Sequence, residues 1–254
     1  MAKEEYFYGQ GRVFLAPIIA GILGAWRWIG DVSSLKLALE IEKVEHKESY
    51  SGQKALARSF PIGKTATLTA ILHSLEIENL ALTLFGKYLT RPGSTVTGEV
   101  LPNNMKAGDI AMLAHQGVSN AVITDSAGGP ATLDPKHYNV SPHGTFELLS
   151  LPVPPPTQPF KVAYTYAATK AVGMFTAPQP LVALRYDGIN LAENGAPVVF
   201  ELYRVGTDPL KELPFVTDGN SVAGMEISGG VLIDPTKPAN GDMGQFGRII
   251  QVGA

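Results

Sequence analysis

The chain has 254 residues, 45% of them hydrophobic, enough to fill the core of one large domain or two modest ones. Its 20 Lys plus Arg against 23 Asp plus Glu give a formal charge of -3 with no long run of one sign, which argues against nucleic-acid binding through a basic patch. It has no cysteine, which removes disulfides, thiol nucleophiles and cysteine-ligated zinc and suits folding in a reducing cytoplasm.

The most apolar stretch, residues 13–29, is interrupted by Pro17, Gly21 and Gly24, carries Arg27, and follows an acid-containing start with Glu4 and Glu5. It is therefore expected to be a buried strand, a glycine turn and a second strand, with no signal peptide and no membrane span. Leu35, Leu37, Leu39 and Ile41 then alternate with Lys36, Ala38, Glu40 and Glu42, the period of a half-buried strand. A second alternation sets Thr65, Thr67 and Thr69 against Ala66, Leu68 and Ala70, so the two runs predict a long antiparallel hairpin. Its connection, residues 49–61, holds Gly52, Gln53, Lys54, Arg58 and Pro61 and reads as a protruding, mobile loop.

Helical spacing occurs at Ile77, Leu80, Ala81, Leu84 and Phe85 and predicts one flanking helix over about 74–86. Ser74 is its expected N-cap, Glu76 and Glu78 suit its positive end, and Gly86 is expected to close it in the left-handed conformation. Residues 95–159 carry short strand patterns at 110–114, 121–124, 137–140 and 146–149, and read as a small inserted β subdomain. It ends in a proline-rich run, residues 152–159, expected to be a semi-rigid connector. Strand alternation resumes at Phe160, Val162, Tyr164 and Tyr166, again at 181–186, and at Val198, Phe200 and Leu202. Turn signals stand at Asp187-Gly188, Asn194-Gly195 and Asp218-Gly219-Asn220. The fold class expected is all-β, a sandwich or barrel built from 1–94 plus 160–254, with the 95–159 segment inserted.

Motifs for chemistry fail at identifiable places. Gly63-Lys64-Thr65 resembles the end of a phosphate-binding loop, but Arg58 stands where its first glycine belongs and a strand pattern follows where a helix is needed. Gly9-Gln10-Gly11 has no strand before it, and Gly117-Val118-Ser119-Asn120-Ala121 lacks the last glycine of a nucleophile elbow. His46, His73, His115, His137 and His143 are scattered, so no metal and no cofactor is expected. Carboxylate pairs such as Glu40 with Glu42, or Glu45 with Glu48, are not singled out by spacing as a hydrolytic pair. Trp26 and Trp28 share a strand face and offer either a sugar-stacking platform or two core or interface aromatics.

Order along the chain carries more information than any one motif. The run Gly9-Gln10-Gly11-Arg12-Val13-Phe14-Leu15-Ala16, then Ile29-Gly30-Asp31-Val32, then the alternating strand and Val44 to Gly52, resembles the opening of the major tail tube protein of long-tailed bacteriophages. Leu184-Arg185-Tyr186-Asp187-Gly188-Ile189-Asn190, Val198 to Val205 with Asp208-Pro209, and Gly230-Val231-Leu232-Ile233-Asp234 are similar to the same family. The likeness covers about residues 1–90 and 160–254.

The resemblance implies a tail-tube-like β-sandwich subunit, without enzymatic activity, that forms six-membered rings stacking into a hollow virion tube through which DNA passes. The partners it implies are further copies of the chain, a tape measure protein, a tail terminator and a distal tail protein. By the same likeness the hairpin lines the lumen, and alternation then makes Glu40 and Glu42 candidates for an acidic lining; polarity and position at a hairpin tip make Ser49, Gly52, Gln53, Lys54 and Arg58 candidates for a ring-to-ring stacking loop. The 95–159 insert, which departs from the smallest tube proteins, is expected to decorate the tube exterior or thicken its wall. The alternative reading is another virion or surface β-protein such as a carbohydrate-binding module.

Overall fold

The computed structural model describes residues 4–217, 219, 222–239 and 241–252. Met1, Ala2 and Lys3, and Asp218 and Asn220 of the expected turn, lie outside them. With 50% of the chain in strands and 5% helical, the protein is all-β. The elements in order are β1 (Gly9–Ile19), β2 (Ile22–Leu23), β3 (Arg27–Trp28), β4 (Val32–Lys47), β5 (Leu56–Leu72), α1 (Ile77–Thr83) and β6 (Lys87–Arg91). Then come β7 (Ser94–Val100), β8 (Ile110–Met112), β9 (Val118–Thr124), β10 (Tyr138–Val140), β11 (Thr145–Leu148) and β12 (Lys161–Tyr166). The chain finishes with β13 (Thr169–Gly173), β14 (Leu181–Asn190), β15 (Ala196–Thr207), β16 (Met225–Val231) and β17 (Gly247–Gln251).

Two units divide the chain, one made of Met1–Tyr88 with Val172–Ala254 and the other of Leu89–Ala171. In the first, nine antiparallel strands run in the order β2-β1-β14-β15-β16-β5-β4, with β3 added to β1 and β17 to β15. Strand β15 is shared along one edge, its Val198–Leu202 half pairing with β17 and its Val205–Thr207 half with β16. The inward faces of β1, β5, β14, β15 and β16 meet in one core that includes Val13, Leu68, Leu72, Leu184 and Val205. Period-two burial explains the fit: β16 buries Met225, Ile227 and Val231 and turns Glu226 outward.

The glycines at the start of β1 serve this packing. Gly11 stands opposite Gly188, and the Tyr186 ring lies against both, so that a Cβ on Gly11 would sit 2.3 Å from the Asp187 carbonyl oxygen and 2.8 Å from the ring. An aromatic ring laid over cross-strand glycines shields a ladder that has no side chains of its own there.

Helix α1 is shorter than the 74–86 expected, and its caps differ. Glu76 is the N-cap residue and its side chain makes no capping bond. The left-handed position is taken by Phe85, with φ of 50°, while the Gly86 N–H reaches back to the Ala81 carbonyl at 2.8 Å, a Schellman closure. Glycine is needed at 86 because a Cβ would meet the Gly173 carbonyl oxygen at 2.4 Å. The most buried face is also not the aliphatic stripe: Asn79 is 0% and Thr83 1% exposed, with Leu80 and Leu82 half-buried against the core. Asn79 Nδ2 donates to the carbonyls of Ile29 at 2.9 Å and Ser74 at 3.0 Å, and its Oδ1 accepts from Arg27 Nη1 at 2.7 Å. A fully satisfied amide thus ties the helix to the segment around β3.

In the second unit two three-stranded antiparallel sheets, β10-β11-β8 and β7-β12-β9, share a core of their own with Phe146, Leu148, Phe160, Val162 and Tyr164. This unit is wider at both ends than residues 95–159. It takes in β12, expected in the tube-forming part, because Val162 and Tyr164 face this core and the strand pairs with β7 and β9. The proline-rich run is laced into the unit instead of leading out of it: Gln158 accepts from the Met105 N–H at 2.6 Å and donates to the Met105 carbonyl at 2.8 Å, and the Thr157 carbonyl accepts from the Ser126 N–H. Tyr164, 1% exposed, donates to Glu99, and burial first, then that bond, raises its pKa.

Candidate assembly surface

The β4–β5 hairpin is a single ladder from Val32–Leu72 at its base to Lys47–Leu56 at its tip. Its two halves have different environments. At the base Leu35 and Leu37 pack against a core that Ala66, Leu68, Ala70 and Leu72 help to form, and β16 covers the second edge of β5 over Thr67–Leu72. Beyond Ala66, among the described residues, β5 pairs only with β4, and the same side-chain pattern runs on without a core. Leu39 is 75%, Ile41 52%, Val44 50%, Phe60 48% and Ile62 59% exposed. These residues occupy both faces, since Leu39 and Ile41 continue the core-facing row and the cross-strand pair Val44 and Phe60 lies on the other. Along β4 the outer edge has no strand partner among the described residues.

The connection expected at 49–61 is shorter, because residues 56–61 belong to β5. Ser49, Gly52, Gln53 and Lys54 sit in the turn, whereas Arg58 lies in the strand opposite His46. Pro61 does not end the strand, because the second edge of β5 is free there and a missing N–H costs no ladder bond. Glu48 organises the turn: its carboxylate accepts the N–H groups of Tyr50 at 2.9 Å, Ser51 at 2.9 Å and Ala55 at 3.3 Å, as well as the Ser51 hydroxyl. The Ser51 hydroxyl and N–H, ahead of the other donors, hold the Glu48 pKa down from its ordinary 4.5 to about 2. This clamp was not expected from the sequence, where Glu48 shows only as one of many acids.

Glu40 and Glu42 are both exposed and share the face turned away from the core, opposite Thr65 and Gly63, with Lys36 and Thr67 on the same side. Gly63-Lys64-Thr65 lies within β5, facing Glu42, Ile41 and Glu40.

Between the hairpin base and β1 runs a groove of about 940 Å³ walled by Val13, Leu35, Leu37, Tyr186, Phe200 and Ile249. Asp31 and Ser34 add polar groups to its lining. Residues 9–12 of β1 flank it, paired among the described residues with β14 on one side only. Its walls come from five strands far apart in sequence, so no local pattern announces it. The N-terminal segment is fixed beside it by Asn190, which is 6% exposed, accepts the Tyr8 N–H at 2.9 Å and donates to the Tyr6 carbonyl at 2.7 Å.

A smaller cleft of about 380 Å³ is lined by Trp26, Tyr203, Lys237, Glu201 and Arg248. Trp28 is not part of it; Arg12 covers the Trp28 ring with its guanidinium 5.7 Å from the centroid. Glu201 joins three strands by accepting from Arg185 Nη1 at 2.7 Å and Arg248 Nε at 2.6 Å. The histidines stay apart: His73 Nδ1 is 3.1 Å from the Ala223 carbonyl oxygen, His115 stacks on Tyr166 at 3.9 Å, and His137 Nδ1 is 2.7 Å from Ser150 Oγ. Among the described residues no group of three His, Cys, Asp or Glu could hold a metal ion.

The chain belongs to the family described as Protein of unknown function UCP028589, which it matches over residues 6–250. No curated protein matches it.

Proposed function

We propose that this member of the family is a structural subunit that polymerises, and that the assembly is the one the sequence resembles: stacked, six-membered rings forming a phage tail tube that conducts DNA. The observation that carries the reading is the distal β4–β5 hairpin, apolar on both faces and open along β4. A two-stranded ribbon without a covered face is marginal in water, and an exposed apolar edge strand is a template for pairing with another chain. Neighbouring copies that pair along β4 would close the open edge and build a continuous sheet around a channel.

In that arrangement the face carrying Glu40 and Glu42 with Thr65 and Thr67 lines the lumen. Carboxylates there repel DNA phosphate and let it slide. The tape measure, terminator and distal tail proteins are the further partners of such a tube, and the virion tail is its place.

Negative-stain microscopy of the purified protein tests the reading: rings or tubes are expected, and a protein that stays monomeric at every concentration overturns it. For the lining, Glu40→Lys with Glu42→Lys should leave tubes intact and slow genome delivery; unchanged delivery refutes the acidic-lumen role. The Trp26 cleft, with the Tyr203 ring and polar groups beside it, is what favours the second reading, a glycan-binding β-protein. Glycan binding lost on Trp26→Ala, with no assembly, would select it.

A further inference from the structure

We infer that the Trp26 cleft binds a uronic-acid saccharide, with a sugar ring stacked on Trp26 and its carboxylate held by Arg204 and Lys237. The inference rests on the glycan-binding reading above and names the ligand class that this reading leaves unspecified. A β-bulge builds the cleft. Leu184 pairs with Leu202 and Val182 with Val205, so that Tyr203 and Arg204 together stand opposite the single Ala183. A bulge re-aims side chains, which is how two residues adjacent in sequence come to line one cleft. It falls where β15 passes from its pairing with β17 to its pairing with β16. Trp26, 43% exposed, joins them from the connection between β2 and β3. Its neighbour Arg27 is bonded to the buried Asn79 at 2.7 Å, which fixes the segment that presents the indole. A volume of about 380 Å³ lies at the small end of the range for small-molecule sites.

Arg204 calls for an anion. It is half-buried, and its Nε is, among the described residues, the one buried side-chain nitrogen or oxygen without a hydrogen-bond partner. Leaving such a donor unanswered is costly, and native proteins rarely do so without a ligand or water to complete it. The carboxylates of the cleft do not answer it. Glu201 is held by Arg185 and Arg248, and Asp234 Oδ1 takes both the Thr236 N–H at 3.0 Å and the Thr236 hydroxyl at 2.7 Å. Lys237 has no ion pair among the described residues and rests its Nζ 5.1 Å from the Tyr203 ring centroid. Arg204, Lys237 and Arg248 thus face two carboxylates that are already engaged, and the charge left over in the cleft is positive. A guanidinium takes a carboxylate in two parallel bonds, and a lysine beside it adds a point charge. Nε is covered by surrounding side chains, so seating the carboxylate turns the guanidinium toward the cleft, and no Nε bond has to break for that turn. The remaining groups suit a sugar. Trp26 offers a flat apolar face for the ring, and Asp234 Oδ2, which takes no hydrogen bond among the described residues, can accept from a sugar hydroxyl.

Calorimetric titration of the protein with a trisaccharide of glucuronic acid, and with the same trisaccharide after reduction of its carboxyls to hydroxymethyl groups, tests the assignment. The acid is expected to bind, and the reduced sugar to bind roughly ten- to hundred-fold more weakly, the loss of a charge-assisted hydrogen bond. Arg204→Gln and Lys237→Gln should each remove much of that difference, and Trp26→Ala should abolish binding of both sugars. Lys237 is exposed, so its variant carries the test should Arg204→Gln fail to fold. In Trp28→Phe the one remaining indole is Trp26, and its fluorescence should change with the midpoint that calorimetry gives. Equal affinity for the two sugars overturns the acidic class and leaves the glycan reading standing. A preference for the acid that survives in Lys237→Gln and in folded Arg204→Gln also overturns the inference, since the carboxylate then sits elsewhere. Binding of neither sugar, with other glycans of a panel bound and lost on Trp26→Ala, overturns the inference alone; a panel without any binder refutes the glycan reading as well.

Discussion

Replacing Leu39 and Phe60 together by threonine separates assembly from folding. Threonine keeps the β-propensity of both positions while removing most of their apolar surface. Complete burial of such side chains contributes about 1.5–3 kcal/mol. Leu39 is 75% and Phe60 48% exposed, so an interface has roughly three quarters of one and half of the other left to bury. After allowance for the threonine methyl groups, the loss is about 2 kcal/mol per hairpin contact, or roughly thirty-fold in association. The subunit itself loses little, because surface substitutions away from special features stay within about 0.5 kcal/mol. Sedimentation velocity across a concentration series reads the first quantity and thermal melting of the dilute subunit the second. An unchanged assembly concentration, or a melting temperature lower by many degrees, would refute the reasoning by showing that these side chains serve the subunit alone.

Other expectations concern single contacts. The Glu48 carboxylate, held at about 2 instead of 4.5, stabilises the hairpin turn fully above the ordinary value and loses that contribution as pH falls through about 2. The Tyr50 and Ser51 amide resonances should therefore titrate near pH 2 and stop titrating in Glu48→Gln; a midpoint in the usual carboxylate range counts against the clamp. Asn79→Ala removes three hydrogen bonds of a buried amide and should cost about 2–4 kcal/mol in denaturant unfolding, and a loss below about 1 kcal/mol would mean that water replaces the amide. Gly11→Ala drives a methyl into the Asp187 carbonyl and the Tyr186 ring and should cost about 2 kcal/mol or more, whereas Gly230→Ala, with nothing within 4 Å, should be near neutral; equal effects would remove the packing explanation.

The long hairpin was legible because its side chains keep a period of two over Leu35 to Ile41 and Thr65 to Ala70, and a sheet with one buried face imposes that period. Residues 56–61 do not show as a strand in the sequence, since Arg58, Ser59 and Pro61 look like loop chemistry, and only a strand with a free outer edge tolerates that proline. Helix α1 was legible as a helix but not in its caps, because tertiary contacts to Arg27 and Ile29 bury Asn79 in preference to an aliphatic face. For a similar reason the sequence does not show that strand β12 belongs to the second unit. Its alternation fixes that it is a strand, while which core receives Val162 and Tyr164 depends on pairings with β7 and β9 that lie 37 or more residues away. Glu40 and Glu42 were placed correctly on one face by periodicity alone, and the groove was invisible because distant strands build it.

The order of the chain also sets an order of folding. The second unit is continuous, Leu89–Ala171, and the strands of its two three-stranded sheets pair only with one another, so those sheets can close as soon as they have been synthesised. The first unit is split around it: β1 waits for β14, and β5 waits for β16, across more than 150 residues of intervening chain. Its closure is therefore the late, slow event, and pulse-labelled hydrogen exchange should find β12 amides protected before those of β1. Until that closure the groove does not exist, since three of its walls are supplied by the C-terminal third. A chain interrupted before β14 therefore carries the strands of the hairpin but not the groove, so the two surfaces come into being at different stages of folding.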